Sequence, residues 1–226
     1  IVTGKMVAGL RRLGFDAVFD TTFGADLTVI EEANEIMSRL KENKNLPILT
    51  SCCPGWINFI DYHFPSLKYM PSTCKSPQQM TGSIAKNYYA KKMGMDPKDV
   101  VVVSVMPCIA KKYEANLPYQ KSNGLQDVDY SITTRELAKM LKEGAVDLKY
   151  MPEESFDDPL GESTGAGVIF GATGGVLEAA LRTVYEKFTG KTLDDVNFMA
   201  VRGTQGIREA SVDINGRTVR VAALSG

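Results

Sequence analysis

Two adjacent cysteines, Cys52 and Cys53, stand in the heptapeptide Thr50-Ser51-Cys52-Cys53-Pro54-Gly55-Trp56, directly after a short apolar run. Adjacent side chains point different ways, so one thiolate can bind a metal while its neighbour faces a pocket. Soft sulfur donors suit iron–sulfur clusters. Two cysteines packed in a tight strand-to-helix turn are the plainer alternative, and the heptapeptide by itself leaves both open. A second segment, Met106-Pro107-Cys108-Ile109-Ala110-Lys111-Lys112-Tyr113-Glu114, also follows an apolar run. Cys108 and Lys111 are three apart on a predicted first helical turn, so a thiol and an ammonium can face one pocket. Such an ammonium would bind an anionic group. Lys111 and Glu114 repeat the spacing and can hold each other in place, whereas Lys112 reads as solvated. A third pattern is Glu32, Glu35 and Arg39, spaced to line one helix face. Most stripes of this kind are simply solvated. The remaining candidates take bland readings: His63 at the surface, Cys74 packed nearby without ligating, Trp56 and its aromatic neighbours in the core.

The elements that must position these residues follow from hydrophobic period. Apolar residues at helical spacing predict a helix over 4–13, and 17–19 reads as a short strand. Asp26 can cap a long helix through Ile30, Ala33, Met37 and Leu40. A second strand is predicted at 47–50, a helix at 56–62, and another over 77–93 with Pro77 in its first turn. The valine-rich run 100–105 is the clearest strand, and its continuous apolar character suits a parallel strand covered on both faces. Thr133 or Thr134 caps a helix over 135–142, and Gly174-Gly175 opens another. The tail from Phe198 to Leu224 reads as strands with a hairpin turn at Asn215-Gly216. Strands alternating with helices predict an α/β fold with mainly parallel sheets flanked by helices. Ligands gather at the carboxyl ends of strands in such sheets. Cys53 and Cys108, each delivered by its own strand, are therefore expected to converge there, facing an interior cavity.

The bulk properties bound the partners. The chain has 226 residues and a formal net charge of −1, so there is no electrostatic footprint for nucleic acid. No apolar run is long enough to span a bilayer. Four cysteines in a chain with an ordinary core read as reduced thiols rather than staples. No secretory signal opens the sequence, and a cytoplasmic location is expected. The abrupt ends, at Ile1 and Ser225-Gly226, read as cuts through a longer chain.

The segments TSCCPGW and MPCIAKKYE resemble the first two signature motifs of iron-only (FeFe) hydrogenases. Phe170–Thr183, FGATGGVLEAALRT, resembles a third stretch of that family, and the likeness runs along the whole chain. The resemblance implies a two-lobed catalytic domain, present here in part as 1–226. It also implies an H-cluster: a 4Fe-4S cubane joined through a cysteine to a diiron site with CO, cyanide and dithiolate ligands. Cys53 and Cys108 match two of the four cubane cysteines, and the other two belong to a motif expected beyond residue 226. Cys52 matches the thiol that passes protons to the diiron site. Lys111 matches the lysine that binds a cyanide, and Met106, Pro77, Gln78 and Phe170 match the lining of the diiron pocket. Arg39, Glu35, Ser72 and Glu32 match the proton route from the surface to that thiol. The implied activity is reversible reduction of protons to H2. An electron partner such as ferredoxin and maturation proteins that insert the diiron site are implied with it. Non-catalytic cluster-assembly relatives and H2-sensing relatives are the alternatives. Retention of Cys52, Lys111, Met106 and the relay favours the enzyme.

Overall fold

The computed structural model describes residues 2–160, 164–170, 172, 174–193, 199–200 and 206–224. Its helices are α1 (Thr3–Arg12), α2 (Thr21–Glu42), α3 (Pro54–His63), α4 (Pro77–Ile84), α5 (Ala90–Lys92), α6 (Ala110–Ala115), α7 (Thr134–Glu143), α8 (Gly165–Ile169) and α9 (Gly175–Thr189). Its strands are β1 (Val103–Met106), β2 (Lys121–Ser122), β3 (Leu125–Gln126), β4 (Tyr130–Thr133), β5 (Met199–Ala200), β6 (Ile207–Ile214) and β7 (Arg217–Leu224). β1 and β4 pair in parallel, while β2–β3 and β5–β6–β7 are antiparallel. Helices flank the parallel pair, as the α/β reading expects.

Two apolar clusters form the core. In one, Val7 and Leu10 of α1 meet Leu137 and Leu141 of α7, with Val18 and Val146. In the other, Ala33 of α2 meets Leu181 and Val184 of α9 and Val212 and Ile214 of β6. Helix α2 also lies against α4 and α8. Its close approach to α4 depends on Gly24, where a Cβ would collide with the Pro77 oxygen and Thr81 Oγ1.

Turn and cap chemistry explains several boundaries. Thr133 closes a capping box with Glu136 at the start of α7. Asn215 and Gly216, both at positive φ, turn the β6–β7 hairpin as expected. Asp26 does not cap the long helix. Asp20 does, accepting from Thr22 N at 3.0 Å, while Asp26 lies inside α2 and accepts from the backbone N–H groups of Thr164 and Gly167. The predicted helix over 77–93 is interrupted by a π-helical stretch, Ala85–Tyr89, where buried Lys86 reaches Asp129 at 2.7 Å.

Two expected strands do not form. The backbone of Val18 bonds Asp157 instead of a neighbouring strand: its N–H donates to Asp157 Oδ2 at 2.7 Å and its oxygen accepts from Asp157 N at 2.8 Å. Residues 47–50 make one parallel bridge, Leu49 to Pro71. Prolines at 47 and 71 have no N–H to extend a ladder. The valine-rich run pairs only from Val103, its burial is intermediate, and Val101 is 64% exposed rather than covered on both faces. Gly171, Thr173 and Phe198 lie outside the described residues.

Candidate functional site

Cys53 caps α3 in an extended conformation, with Pro54 as the first helical residue. Cys108 lies just before α6 in the turn that follows β1. One residue joins the two turns. Lys111 donates from its backbone N–H to the Cys108 oxygen at 3.2 Å and from Nζ to the Cys52 oxygen at 2.6 Å. The same Nζ lies 3.1 Å from both carboxylate oxygens of Glu114. Glu114, 3% exposed, also accepts from Ser76 Oγ at 2.7 Å and Gln78 Nε2 at 2.8 Å. Gln78 in turn bonds the Lys111 oxygen at 3.1 Å and accepts from Ser104 Oγ of β1 at 2.8 Å. The start of α4, the parallel sheet and both cysteine turns are thus tied through one buried polar cluster. Lys111 therefore has an anionic partner within the chain itself.

Helix α2 presents the carboxylates to the same region. Arg39 donates to Glu35 Oε1 at 2.6 Å. Glu35 Oε2 accepts from Ser72 Oγ at 2.7 Å, and Cys74 Sγ is 3.6 Å away. The segment 71–74 is brought over α2 by the bridge at Leu49. Glu32, one turn away, is 3% exposed, and its Oε1 has no hydrogen-bond partner. Ser72, the Ser51 backbone and Cys52 all interact electrostatically with Glu32. Arg39, Glu35 and Ser72 are therefore joined by hydrogen bonds, with buried Glu32 and half-buried Cys52 close enough to interact, rather than standing as a solvated stripe.

A family model for the C-terminal domain of the iron-only hydrogenase large subunit matches residues 1–226. The chain belongs to this family. It is 55% identical to the NADP-reducing hydrogenase subunit HndD of Solidesulfovibrio fructosivorans, over 100% of this chain and 40% of that protein. It is 50% identical to the periplasmic iron hydrogenase large subunit of Nitratidesulfovibrio vulgaris, over 100% of this chain and 54% of that protein. It superimposes on an FeFe-hydrogenase variant of Chlamydomonas reinhardtii with a TM-score of 0.81 at 47% identity, covering 92% of this chain and 53% of that one. A cytosolic Fe–S cluster assembly factor of Xenopus tropicalis is further off, at 33% identity over 98% of this chain. The chain spans about half the length of the relatives it matches.

Within this iron-only hydrogenase domain the residues fit a thiolate-held cluster. Cys53 and Cys108 are free thiols standing outside the first turns of their helices, with the Lys111 ammonium between the two turns. Both sulfurs are exposed, contrary to the interior placement expected. Only Cys108 follows a strand of the parallel sheet, because the prolines stop the other strand from forming. Among the described residues no group of three or more His, Cys, Asp or Glu side chains could hold a metal ion. Gln78 and Met106 reach a cavity of about 810 Å³ that lies between β1 and residues 14–21. Pro77 opens α4 beside it. Phe170 ends α8, half-buried, and no hydrogen bond or ring contact among the described residues joins it to the cysteine turns. The α3 aromatics are not core: Trp56, Phe59 and Phe64 are 37%, 46% and 47% exposed and cover one another, with Trp56 and Phe59 stacked at 5.9 Å. His63 is exposed as expected, against Phe59. Lys112 pairs with Glu136 at 2.5 Å rather than standing free. No helix is long and apolar enough to cross a membrane among the described residues.

The electrostatics of the hydrogenase domain split its two carboxylates. Burial pushes Glu32 up to about 7; the Glu35 charge adds to this, while Ser72 and the Ser51 backbone oppose it. Burial would raise Glu35 too, but hydrogen bonds from Ser72, Arg39 and the Thr73 backbone outweigh it and leave Glu35 below its ordinary value. The Cys52 thiol is raised, first by burial and then by Glu32, against the pull of Lys111. Cys74, beside Glu35, is pushed up to about 12, chiefly by burial.

The Glu32 shift has a measurable sign. Its folded value of about 7 lies above the ordinary 4.5, so the folded state binds this proton more tightly. The stability carried by protonated Glu32 is present at low pH and is lost as pH rises from about 4.5 to about 7. The size is about 3 kcal/mol. Glu35, shifted down, acts oppositely and in a more acid window. Unfolding free energies measured from pH 5 to 8 are expected to fall with pH in the wild type and to flatten in Glu32→Gln. An equal slope in both proteins contradicts a buried, raised Glu32.

Proposed function

We propose that the full-length protein containing this chain is an FeFe hydrogenase that interconverts protons, electrons and H2. Cys53 and Cys108 would hold the cubane of an H-cluster together with two cysteines from a further motif. Lys111, Met106, Pro77, Gln78 and Phe170 would line the diiron site. When bound, the cluster supplies the redox chemistry and the open metal site at which H–H bonding changes.

This chain's residues supply protons and order. Glu114 holds the Lys111 ammonium beside the Cys52 peptide. Glu32, Ser72 and Glu35 lead from Cys52 toward the surface, and each has a protonatable oxygen. The observation that carries the reading is the buried Glu32, 3% exposed with an unpartnered oxygen, which burial pushes up to about 7 and which interacts with both Ser72 and Cys52. A carboxyl tuned near neutrality can load and unload a proton there. A protein that only stored or passed on clusters has no use for such a path.

A ferredoxin-class protein is the proposed electron partner, and accessory proteins are proposed to insert the diiron site. A cytoplasmic location is proposed with it. Infrared spectroscopy of the full-length protein, produced with hydrogenase accessory proteins, tests the assignment. Bands from iron-bound CO and cyanide are expected. A cubane signal without those bands supports the assembly-factor reading instead.

A further inference from the structure

We infer that an ordered water is held between α4 and the β2–β3 hairpin by the side chains of Gln79, Gln120 and Asp127. The inference goes beyond the hydrogenase reading and does not depend on it. Asn123 and Gly124, both at positive φ, turn the hairpin and fix the pairing of Lys121 with Gln126 and of Ser122 with Leu125. The Asp127 N–H donates to the Gln120 oxygen at 3.2 Å, which carries the same register one pair further. Residues directly opposite in an antiparallel pair share a face, as do residues two apart on one strand. Gln120, Ser122 and Asp127 therefore stand on the same side of the hairpin.

That side is met by α4 and the residues just before it. Lys75 Nζ donates to the Lys121 oxygen at 3.0 Å, to Ser122 Oγ at 2.8 Å and to Asp127 Oδ2. Ser83 Oγ lies 2.9 Å from Ser122 Oγ. At Gly82 the approach is so close that a Cβ would stand 2.3 Å from the Asp127 backbone oxygen. Gln79 is four positions after Lys75 and four before Ser83, so it lies on the stripe between them. Its neighbour Gln78, about 100° round the helix, reaches the large cavity instead.

Gln79 is 0% exposed and Asp127 1%. Among the described residues no partner reaches Gln79 Nε2, Gln79 Oε1, Asp127 Oδ1 or Gln120 Oε1. Donor and acceptor of the Gln79 amide are both unpaired, so exchanging its nitrogen and oxygen changes nothing. Buried polar groups that face one another without bonding are what internal water serves, with two to four partners for each molecule. The water accepts from Gln79 Nε2 and donates its two hydrogens to Asp127 Oδ1 and Gln120 Oε1. A metal ion has the wrong charge here. The Lys75 ammonium already neutralises Asp127 and would repel a second cation.

A high-resolution crystal structure of the full-length, cofactor-loaded protein, grown with rubidium chloride, tests this. One water within about 3.2 Å of all three side chains is expected, with no anomalous rubidium signal. Gln79→Met keeps the length of the side chain and removes both polar atoms. That variant is expected to lose the water, and its Asp127 amide, on the last pair of the hairpin, to exchange hydrogen about tenfold faster than in the wild type. Direct bonds from Gln79 to Asp127 or Gln120 in the wild type overturn the inference, and so does a rubidium peak at the site. A water that stays in place in Gln79→Met, or an unchanged exchange rate once it is gone, overturns it as well. Should Gln79→Met fail to fold, the wild-type density still decides.

Discussion

Serine at position 52 leaves the full-length enzyme with its cubane and about 10²–10⁴-fold less H2 turnover, the range expected when a positioned proton donor is lost. Cys52 adjoins the proposed ligand Cys53, so it is held beside the cofactor without being consumed by it. It is half-buried, and burial with the nearby Glu32 raises its value, so the thiol carries its proton at neutrality. A hydroxyl in the same place is a far weaker acid and does not hand that proton over. The substitution nearly keeps size, so packing around the Cys52 oxygen and Lys111 Nζ, 2.6 Å apart, should survive. Glu32→Gln should fall by a similar factor because an amide cannot relay a proton. H2 assays paired with electron paramagnetic resonance of the cubane read both effects. Near-normal turnover in both variants rules out the relay.

Lys111→Ala is expected to act in two separable ways. Glu114, 3% exposed, loses its cationic partner and keeps only Ser76 and Gln78. Leaving a buried carboxylate uncompensated costs about 3–5 kcal/mol. The Cys52 oxygen also loses its partner, so the two cysteine turns are no longer tied. The diiron site is expected to be lost or poorly retained, seen as missing CO and cyanide bands. The double variant Lys111→Ala/Glu114→Gln removes the unpaired charge and should regain stability without regaining those bands. Full diiron occupancy in the double variant shows that Lys111 serves only Glu114.

Much of this was legible in the sequence because it is local. Helical spacing placed Glu32, Glu35 and Arg39 on one face, and three-residue spacing placed Lys111 against Glu114. The turn at Asn215-Gly216 and the cap at Thr133 follow from backbone chemistry that needs no tertiary partner. What escaped is long-range. Nothing at 17–19 announces that Asp157 takes its backbone bonds, and nothing at Asp26 announces that it serves residues 164–167. The hub at Glu114 draws Ser76 and Gln78 from α4, over 30 positions away. The prolines at 47 and 71 were visible, but their effect depended on learning that these two segments meet. The aromatics in and just after α3 read as core, yet they pack on one another at the surface, with Trp56 stacked on Phe59.

The central claim, that Cys53 and Cys108 hold the cofactor of an H2-converting enzyme, has one direct measurement: H2 evolution from a reduced viologen dye by the anaerobically matured full-length protein, compared with Cys53→Ala and Cys108→Ala. The account predicts turnover in the wild type and none above background in either variant, with iron content falling in both. A wild type that carries its full iron and makes no H2, or alanine variants that keep both iron and turnover, would contradict it.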